Sequence, residues 1–460
     1  MDFTPLIARQ RAFFLSGATR PAEFRRAQLR RLLDALVTHE SELLAALHSD
    51  LRKSPVDGYA SEIGFVTSEI RHALRHLGSW MKPERRRAPL LAWPASGSIH
   101  PQPYGVALII GPWNYPLQLL LAPLVGAIAA GNCAVLKPSE CAPHTTAVLD
   151  RMLSQAFPVE YIAVVQGEQA TAEALLLEKF DTIFFTGGTH TGSAIMTAAA
   201  RHLTPVTLEL GGKSPCIVCA DAPLELTARR IAWGKFMNAG QTCVAPDYVL
   251  VDQRVSAAFL AALKQALREF FGADAQQSSD YGRIINRRHF ERLATYLDEG
   301  TIACGGRNDA TDLYIEPTVL MDVPPEAAVM REEIFGPILP VLPFNDILKV
   351  LERLRDQATP LALYLFTNDR AIHEQVLAAT RSGGVCINDT ITHILGKDLP
   401  FGGLGESGMG SYHGKASFDC FSHRRSVLKR SLRVDPAFRY PPSGMSLTSL
   451  KQILRIFGAG

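Results

Sequence analysis

The sequence predicts an α/β protein made of two doubly wound parallel-sheet domains and a short extended arm. Three observations carry this expectation. Between residues 106 and 185, short all-apolar runs alternate with helix-forming stretches, as in a parallel sheet covered on both faces. The same alternation resumes after Gly211-Gly212. Between the helical N-terminal region and the first apolar run, Pro83, Pro89, Pro94, Pro101 and Pro103 break up helix and leave an extended arm or hairpin.

The 460 residues are 47% hydrophobic and 20% charged, ordinary globular composition with ample core for two or three domains. A formal net charge of +2 gives no reason to expect a nucleic acid or an acidic partner, and Arg85-Arg86-Arg87 reads as a solvated local cluster. The N-terminus, MDFTPLIARQ, lacks a basic start followed by an apolar run, so no signal peptide is expected. No stretch has the uninterrupted apolar length of a membrane span. Eight widely spaced cysteines suit reduced thiols in a cytoplasm. Cys216 and Cys219 have C-x-x-C spacing, but they fall in a short apolar strand whose alternation sends the two sulfurs to opposite faces. No second ligand pair accompanies them, so no metal site is expected.

Taken in order, the first eighty residues read as helices. Thr19, Pro21 and Glu23 mark a helix start. Leu29, Leu32, Leu33 and Leu36 then recur at helical spacing, with Arg25, Arg26 and Arg30 turned elsewhere. Further amphipathic helices are expected over 40–51 and from Tyr59 to about Met81. After the arm come strands at 106–110, 134–136, 162–165 and 182–185. Helices at about 116–130, 143–155 and 171–177 separate them. Ligands in such folds bind beyond the carboxyl ends of the strands, which directs attention to Trp113-Asn114, Lys137-Pro138-Ser139-Glu140 and Thr186-Gly187-Gly188. The second domain should include a strand at 215–218, a helix over 224–237 and strands at 248–251 and 385–388. The last segment offers Leu447, Leu450, Leu454 and Phe457 as one face of a short helix. Docking on the protein's own body is the favoured reading of that face, ahead of contact with a membrane.

Seven loop stretches share one order along the chain. They are Gly111-Pro112-Trp113-Asn114-Tyr115-Pro116, Lys137-Pro138-Ser139-Glu140, Phe185-Thr186-Gly187-Gly188-Thr189 with Gly192, Leu208-Glu209-Leu210-Gly211-Gly212-Lys213, Gly240-Gln241-Thr242-Cys243, Glu332-Glu333-Ile334-Phe335-Gly336-Pro337 and Pro400-Phe401-Gly402-Gly403. Together they closely resemble the aldehyde dehydrogenase superfamily, from about residue 5 to residue 440. Gln241-Thr242-Cys243-Val244-Ala245-Pro246-Asp247-Tyr248 and Gly408-Met409-Gly410-Ser411-Tyr412-His413-Gly414-Lys415 look like its class 3 branch. The resemblance implies an aldehyde dehydrogenase-like fold. It places a cofactor-binding domain at 1–82 and 104–209 and a catalytic domain at 210–395. Oligomerisation or bridging segments would lie at 83–103 and 396–440, and a tail at 441–460. It also implies a homodimer.

Each candidate residue has a chemical reason of its own. Cys243 is the candidate nucleophile, because a thiolate adds reversibly to a carbonyl and leaves a thioester. Asn114 can donate to the resulting oxyanion together with the backbone N–H of Cys243; an Asx turn before Pro116 is the alternative. Glu209, alone among leucines at a strand end, should have a raised pKa suited to a general base, and a structural salt bridge is its alternative. By resemblance it activates the water that hydrolyses the thioester. Gly187, Gly188 and Gly192 lead into a helix expected near Thr191, whose N-terminus suits phosphate. By resemblance Lys137 and Glu140 hold the adenosine ribose, while Glu333 and Phe335 grip the nicotinamide ribose. The carboxylate of Glu140 opposes a 2′-phosphate, so NAD is the expected cofactor, with NADP also accepted in the class 3 branch. Tyr115, Leu119, Trp233, Ile391, Ile394 and Phe401 are the candidate walls of an aldehyde tunnel. His413 reads as a structural residue behind the site.

The expected activity is NAD(P)-dependent oxidation of apolar aliphatic or aromatic aldehydes to carboxylic acids. A cofactor-independent thiol esterase would leave the Lys137 and Gly187 motifs without a purpose. A non-enzymatic binding protein on the same fold should have lost Cys243 or Glu209, and this chain keeps both.

Overall fold

The computed structural model describes residues 1–89, 92–435, 440–441 and 444–457. Among them the strands form two large mostly parallel sheets, a three-stranded antiparallel arm and a two-stranded antiparallel ribbon of 308–309 with 314–315. The first large sheet has the order 408–409, 206–210, 182–187, 106–110, 133–137, 162–164. Its parallel strands are all-apolar over Val106–Ile110 and fully buried there. The chain builds outward from 106–110 to 162–164, then returns to place 182–187 on the other side of 106–110. That reversal makes a crevice at the carboxyl ends of 106–110 and 182–187, where a parallel sheet binds its ligands.

The second sheet has the order 301–304, 318–321, 338–344, 248–252, 215–218, 362–366, 384–387. All its pairings are parallel except that of Thr301–Cys304 with Thr318–Met321. Cys216 and Val218 join one apolar core, and Ile217 and Cys219 join the other, so the two sulfurs lie on opposite faces of the sheet. No cluster of His, Cys, Asp and Glu suited to a metal occurs among the described residues.

The N-terminal helices are Thr4–Leu15, Ala22–Thr38, Glu40–Leu51 and Gly64–Trp80. The reading of one helix from Tyr59 to Met81 needs correction, since a short helix Pro55–Gly58 and a π turn Tyr59–Ile63 precede it. Arg25 is also not turned to solvent: it is buried, and its guanidinium donates to the carbonyls of Thr19 and Ala129, both at 3.0 Å. The arm pairs Glu84–Arg86 with Ala95–Pro103 and the latter with Ser422–Arg430. The segment 396–440 therefore divides. Gly408–Met409 extends the first sheet beside Glu209, whereas 422–430 completes the arm.

The terminal helix Leu447–Phe457 leaves Leu447, Leu450 and Leu454 67%, 41% and 44% exposed. These three leucines are thus not docked on the body of the chain; the Phe457 side chain lies outside the described residues. Among the described residues no helix is long and apolar enough to cross a membrane.

Candidate active site

Cys243 sits in a loop held open by unusual backbone. Asn238, Ala239 and Gly240 all have left-handed φ values, 52°, 52° and 74°, at a cost of roughly 1–2 kcal/mol for each non-glycine residue. The loop is over-determined by hydrogen bonds. The side chain of Gln241, fully buried, donates to the carbonyls of Asn238 and Arg283 at 3.1 and 2.9 Å and accepts from the N–H of Ile285 at 3.0 Å. Tyr364 donates to the carbonyl of Val244. The glycine before Gln241 admits backbone rather than ligand: a Cβ on Gly240 would overlap the carbonyl of Gly336.

Asn114 reaches this loop from the end of strand 106–110. Its side-chain amide donates to the carbonyl of Gln241 at 3.0 Å, and Asn238 returns a bond to the Asn114 carbonyl at 2.8 Å. One of the two amide N–H groups is thereby committed, and the other remains for a ligand. The burial of Cys243, with Glu209 and Glu333 nearby, pushes its thiol pKa well above the ordinary value. The resting group is therefore a thiol, and a base is needed to make it a nucleophile.

Glu209 lies on strand Val206–Leu210 and is 1% exposed. Burial pushes its pKa up to about 7, and the nearness of Cys243 and Thr186 opposes the rise. No arginine or lysine pairs with it among the described residues, so the salt-bridge alternative fails and a base poised near neutrality remains.

The cofactor candidates gather at the crevice. Lys137 and Glu140 pair at 2.7 Å where strand Cys133–Lys137 ends. Gly187 ends strand 182–187, and Gly188 stands before helix Thr189–Ala200 with open space around it. The helix starts two residues earlier than expected. Gly192 consequently lies in its first turn, where a Cβ would press on Leu210 at 2.7 Å; its place is in helix–strand packing. Glu333 packs over Gly211 and accepts a hydrogen bond from the backbone of Gly212, while burial raises its pKa to about 8. Phe335 has φ 50° and meets Trp113 edge-on at 5.3 Å. Lys213, bonded to Asp247 and to the carbonyls of Val329 and Glu332, ties down the strap that carries both residues.

A cavity of about 520 Å³ leads to Cys243. Tyr115, Leu119, Trp233, Ile391, Ile394 and Phe401 all line it. Trp233 is 41% exposed and belongs to the rim. His413 stacks on Phe401 at 5.2 Å, and burial pushes its imidazole down to about 4. It is neutral at physiological pH and serves the wall rather than proton transfer.

Three features escaped the sequence reading. Lys53 and Glu62 form a fully buried ion pair at 3.0 Å. Glu62 also accepts from the N–H groups of Leu117 and Gln118 at 3.0 and 2.9 Å, and the Lys53 ammonium stands 3.8 Å over the Tyr115 ring. Tyr115 in turn bonds Thr242 at 2.7 Å, one residue before the nucleophile. Thr186 is the register partner of Glu209, which only strand pairing discloses. Tyr412 lines the cavity with its hydroxyl buried and unpartnered among the described residues.

Residues 4–427 match the model of the aldehyde dehydrogenase family. A dimeric NADP-preferring aldehyde dehydrogenase of Mus musculus is 47% identical over 96% of this chain and 98% of its own length. Among solved structures, a substrate-bound state of Staphylococcus aureus AldH has a TM-score of 0.96 at 42% identity, covering 99% of this chain and 100% of its own. An indole-3-acetaldehyde dehydrogenase in complex with NAD+ has a TM-score of 0.83 at 28% identity, covering 93% and 88%.

Proposed function

Because the chain belongs to the aldehyde dehydrogenase family, we propose for each residue of the site a part in the oxidation of an aldehyde. The reaction converts an aldehyde to its carboxylic acid with NAD(P). When bound, the dinucleotide supplies the hydride acceptor. The crevice at the sheet reversal, with Gly188 open before a helix N-terminus, fits its phosphates. Lys137 and Glu140 would hold the adenosine ribose, Gly187 and Gly188 the pyrophosphate side, and Glu333 and Phe335 the nicotinamide ribose. The Lys137 partner of Glu140 softens the repulsion of a 2′-phosphate, so both NAD and NADP are accepted, with NAD preferred.

Cys243 attacks the aldehyde carbonyl, its proton passing to a base, and a thiohemiacetal forms. The free N–H of Asn114 and the backbone N–H of Cys243 hold the oxyanion. Each such donor is worth about 3–4 kcal/mol in the transition state. After oxidation to the thioester, Glu209 takes a proton from water, the water oxygen bonds to the acyl carbon, and the thiolate of Cys243 leaves. The observation that supports this reading most is that Cys243 opens on the cavity, Asn114 bonds its loop at the carbonyl of Gln241, and the Glu209 carboxyl lies within hydrogen-bond reach of the thiol.

The apolar walls favour aliphatic or aromatic aldehydes. Asp57 and Asp280 also border the cavity and oppose an anionic substrate. The arm strands at 84–86, 95–103 and 422–430 are assigned to pairing of two copies of the chain. The division into a cofactor domain at 1–82 and 104–209 and a catalytic domain at 210–395 follows the two sheets. Eight free thiols suit a reducing compartment such as cytoplasm.

The decisive experiment follows NADH absorbance with a panel of aldehydes, for wild type and Cys243→Ala. Apolar aldehydes should be turned over by wild type and not by the variant, a loss of about 10⁴-fold or more. Equal rates in the two proteins would overturn the nucleophile. A clear preference for a carboxylate-bearing semialdehyde would overturn the substrate class.

A further inference from the structure

We propose that Tyr412 is a further catalytic residue, whose phenol oxygen and the Glu209 carboxylate together hold the water that hydrolyses the thioester. This rests on the assignment of Cys243 and Glu209 made above.

Strand register puts the groups on one surface. Thr186 and Glu209 are partners in neighbouring parallel strands, so their side chains project from the same face. Phe184 precedes Thr186 by two residues and shares that face. The Tyr412 ring meets Phe184 edge-on, with centroids 5.0 Å apart and planes at 69°. Tyr412 therefore stands over the face that bears Glu209. Its backbone is pinned by a pair of hydrogen bonds with Phe401, at 2.8 and 3.0 Å, and the residue is 1% exposed. It lines the same cavity as Cys243, and burial first, then the nearness of Glu209 and Cys243, opposes its ionisation.

The polar atoms on this surface lie near one another, with Thr186 and Cys243 close to the Glu209 carboxyl, but make no well-formed hydrogen bond among the described residues. Tyr412 Oη, Thr186 Oγ1 and both carboxyl oxygens of Glu209 are buried without a hydrogen-bond partner among the described residues. Each such group costs on the order of 1–3 kcal/mol when left unpaired. A small polar molecule is the ligand that satisfies them, and a water needs two to four polar partners.

The chemistry follows from the number of acceptors. The water donates one O–H to Glu209 and the other to Tyr412 Oη, which turns a lone pair towards the acyl carbon. The C–O bond forms as Glu209 takes the first proton. The tetrahedral adduct then collapses, the C–S bond breaks, and its electron pair returns to the Cys243 sulfur. Tyr412 orients the water and keeps its own proton. Thr186 supplies a further contact beside Glu209.

The test is rapid mixing of enzyme, NAD and hexanal, with NADH followed by absorbance, for wild type, Tyr412→Phe and Glu209→Gln. Tyr412→Phe should release one NADH per subunit at the wild-type rate, then continue on the order of 10- to 100-fold more slowly. Because slowed hydrolysis lets the acyl-enzyme accumulate, the KM for hexanal should fall together with kcat while kcat/KM stays unchanged, and mass spectrometry should find the acyl group on Cys243. Added hydroxylamine, a nucleophile that needs no oriented water, should restore turnover; a merely misfolded site would not respond. Wild-type steady turnover in Tyr412→Phe, or loss of its first turnover, would overturn the proposal. Glu209→Gln separates the two readings. If it too stalls after one turnover while Tyr412→Phe does not, only the tyrosine assignment falls; if it turns over normally, the assignment of the base falls.

Discussion

The carboxyl group of Glu333 rests directly on the α-carbon of Gly211, and a Cβ at that position would overlap both carboxyl oxygens. Gly211 follows Glu209 by two residues, so the strap proposed for the cofactor and the strand of the proposed general base are in van der Waals contact. A side chain at Gly211 must push Glu333 out of place.

Gly211→Ala is therefore expected to raise the KM for NAD by about tenfold, the equivalent of 1.4 kcal/mol, with a smaller change in the KM for the aldehyde. Initial rates over a matrix of both substrates check this. An unchanged KM for NAD would remove Glu333 from the ribose site.

The second expectation concerns pH. Glu209 has a pKa of about 7 in the folded chain against an ordinary 4.5. Between those values the folded state holds more protons than the unfolded one, so this group's contribution to stability falls as pH rises from about 4.5 and is fully lost above about 7. The loss is up to about 3 kcal/mol. Glu209→Gln should thus stabilise the protein at about pH 8 and give little change near pH 4.5, in denaturant unfolding. Wild-type kcat should instead rise with pH through about 7, as the base loses its proton.

The third concerns the buried pair. Lys53→Met leaves the Glu62 carboxylate without its partner in a site where both are fully buried. Burial already raises the Glu62 pKa, held back by Lys53 and by the N–H groups of Gln118 and Leu117. Removing the cation should cost about 3–5 kcal/mol in urea unfolding. The double variant Lys53→Met, Glu62→Gln should recover most of it. Failure of the second change to help would mean the lysine acts through Tyr115 instead.

The sheets were legible because each buried parallel strand is a short apolar run between breakers. Pro215–Val218 is such a run, and its observed limits are those expected. The loops after the strands were legible as well, since ligand chemistry lies at strand ends. What escaped were relationships across the chain. Glu62 is buried within a π turn that precedes Gly64, and nothing in local periodicity marks that turn. Thr186 neighbours Glu209 through register alone. Arg25 occupies a helix position that reads as exposed, yet backbone carbonyls of Thr19 and Ala129 draw its guanidinium inside. The exposed leucines of the terminal helix reversed an expectation drawn from amphipathicity, which says that a face is apolar but not what it meets.

The contact between Gly240 and the carbonyl of Gly336 has a consequence for anyone altering this enzyme. The loop that presents the thiol and the strap proposed to grip the nicotinamide share a backbone-to-backbone seam with no side chain to absorb an adjustment. Cofactor preference and acyl transfer are therefore not separable design variables along this seam. A library that varies Glu333, Phe335 or Gly336 samples nucleophile geometry whether or not that was intended, whereas one built around Lys137 and Glu140, on a different strand end, can vary the dinucleotide without that penalty.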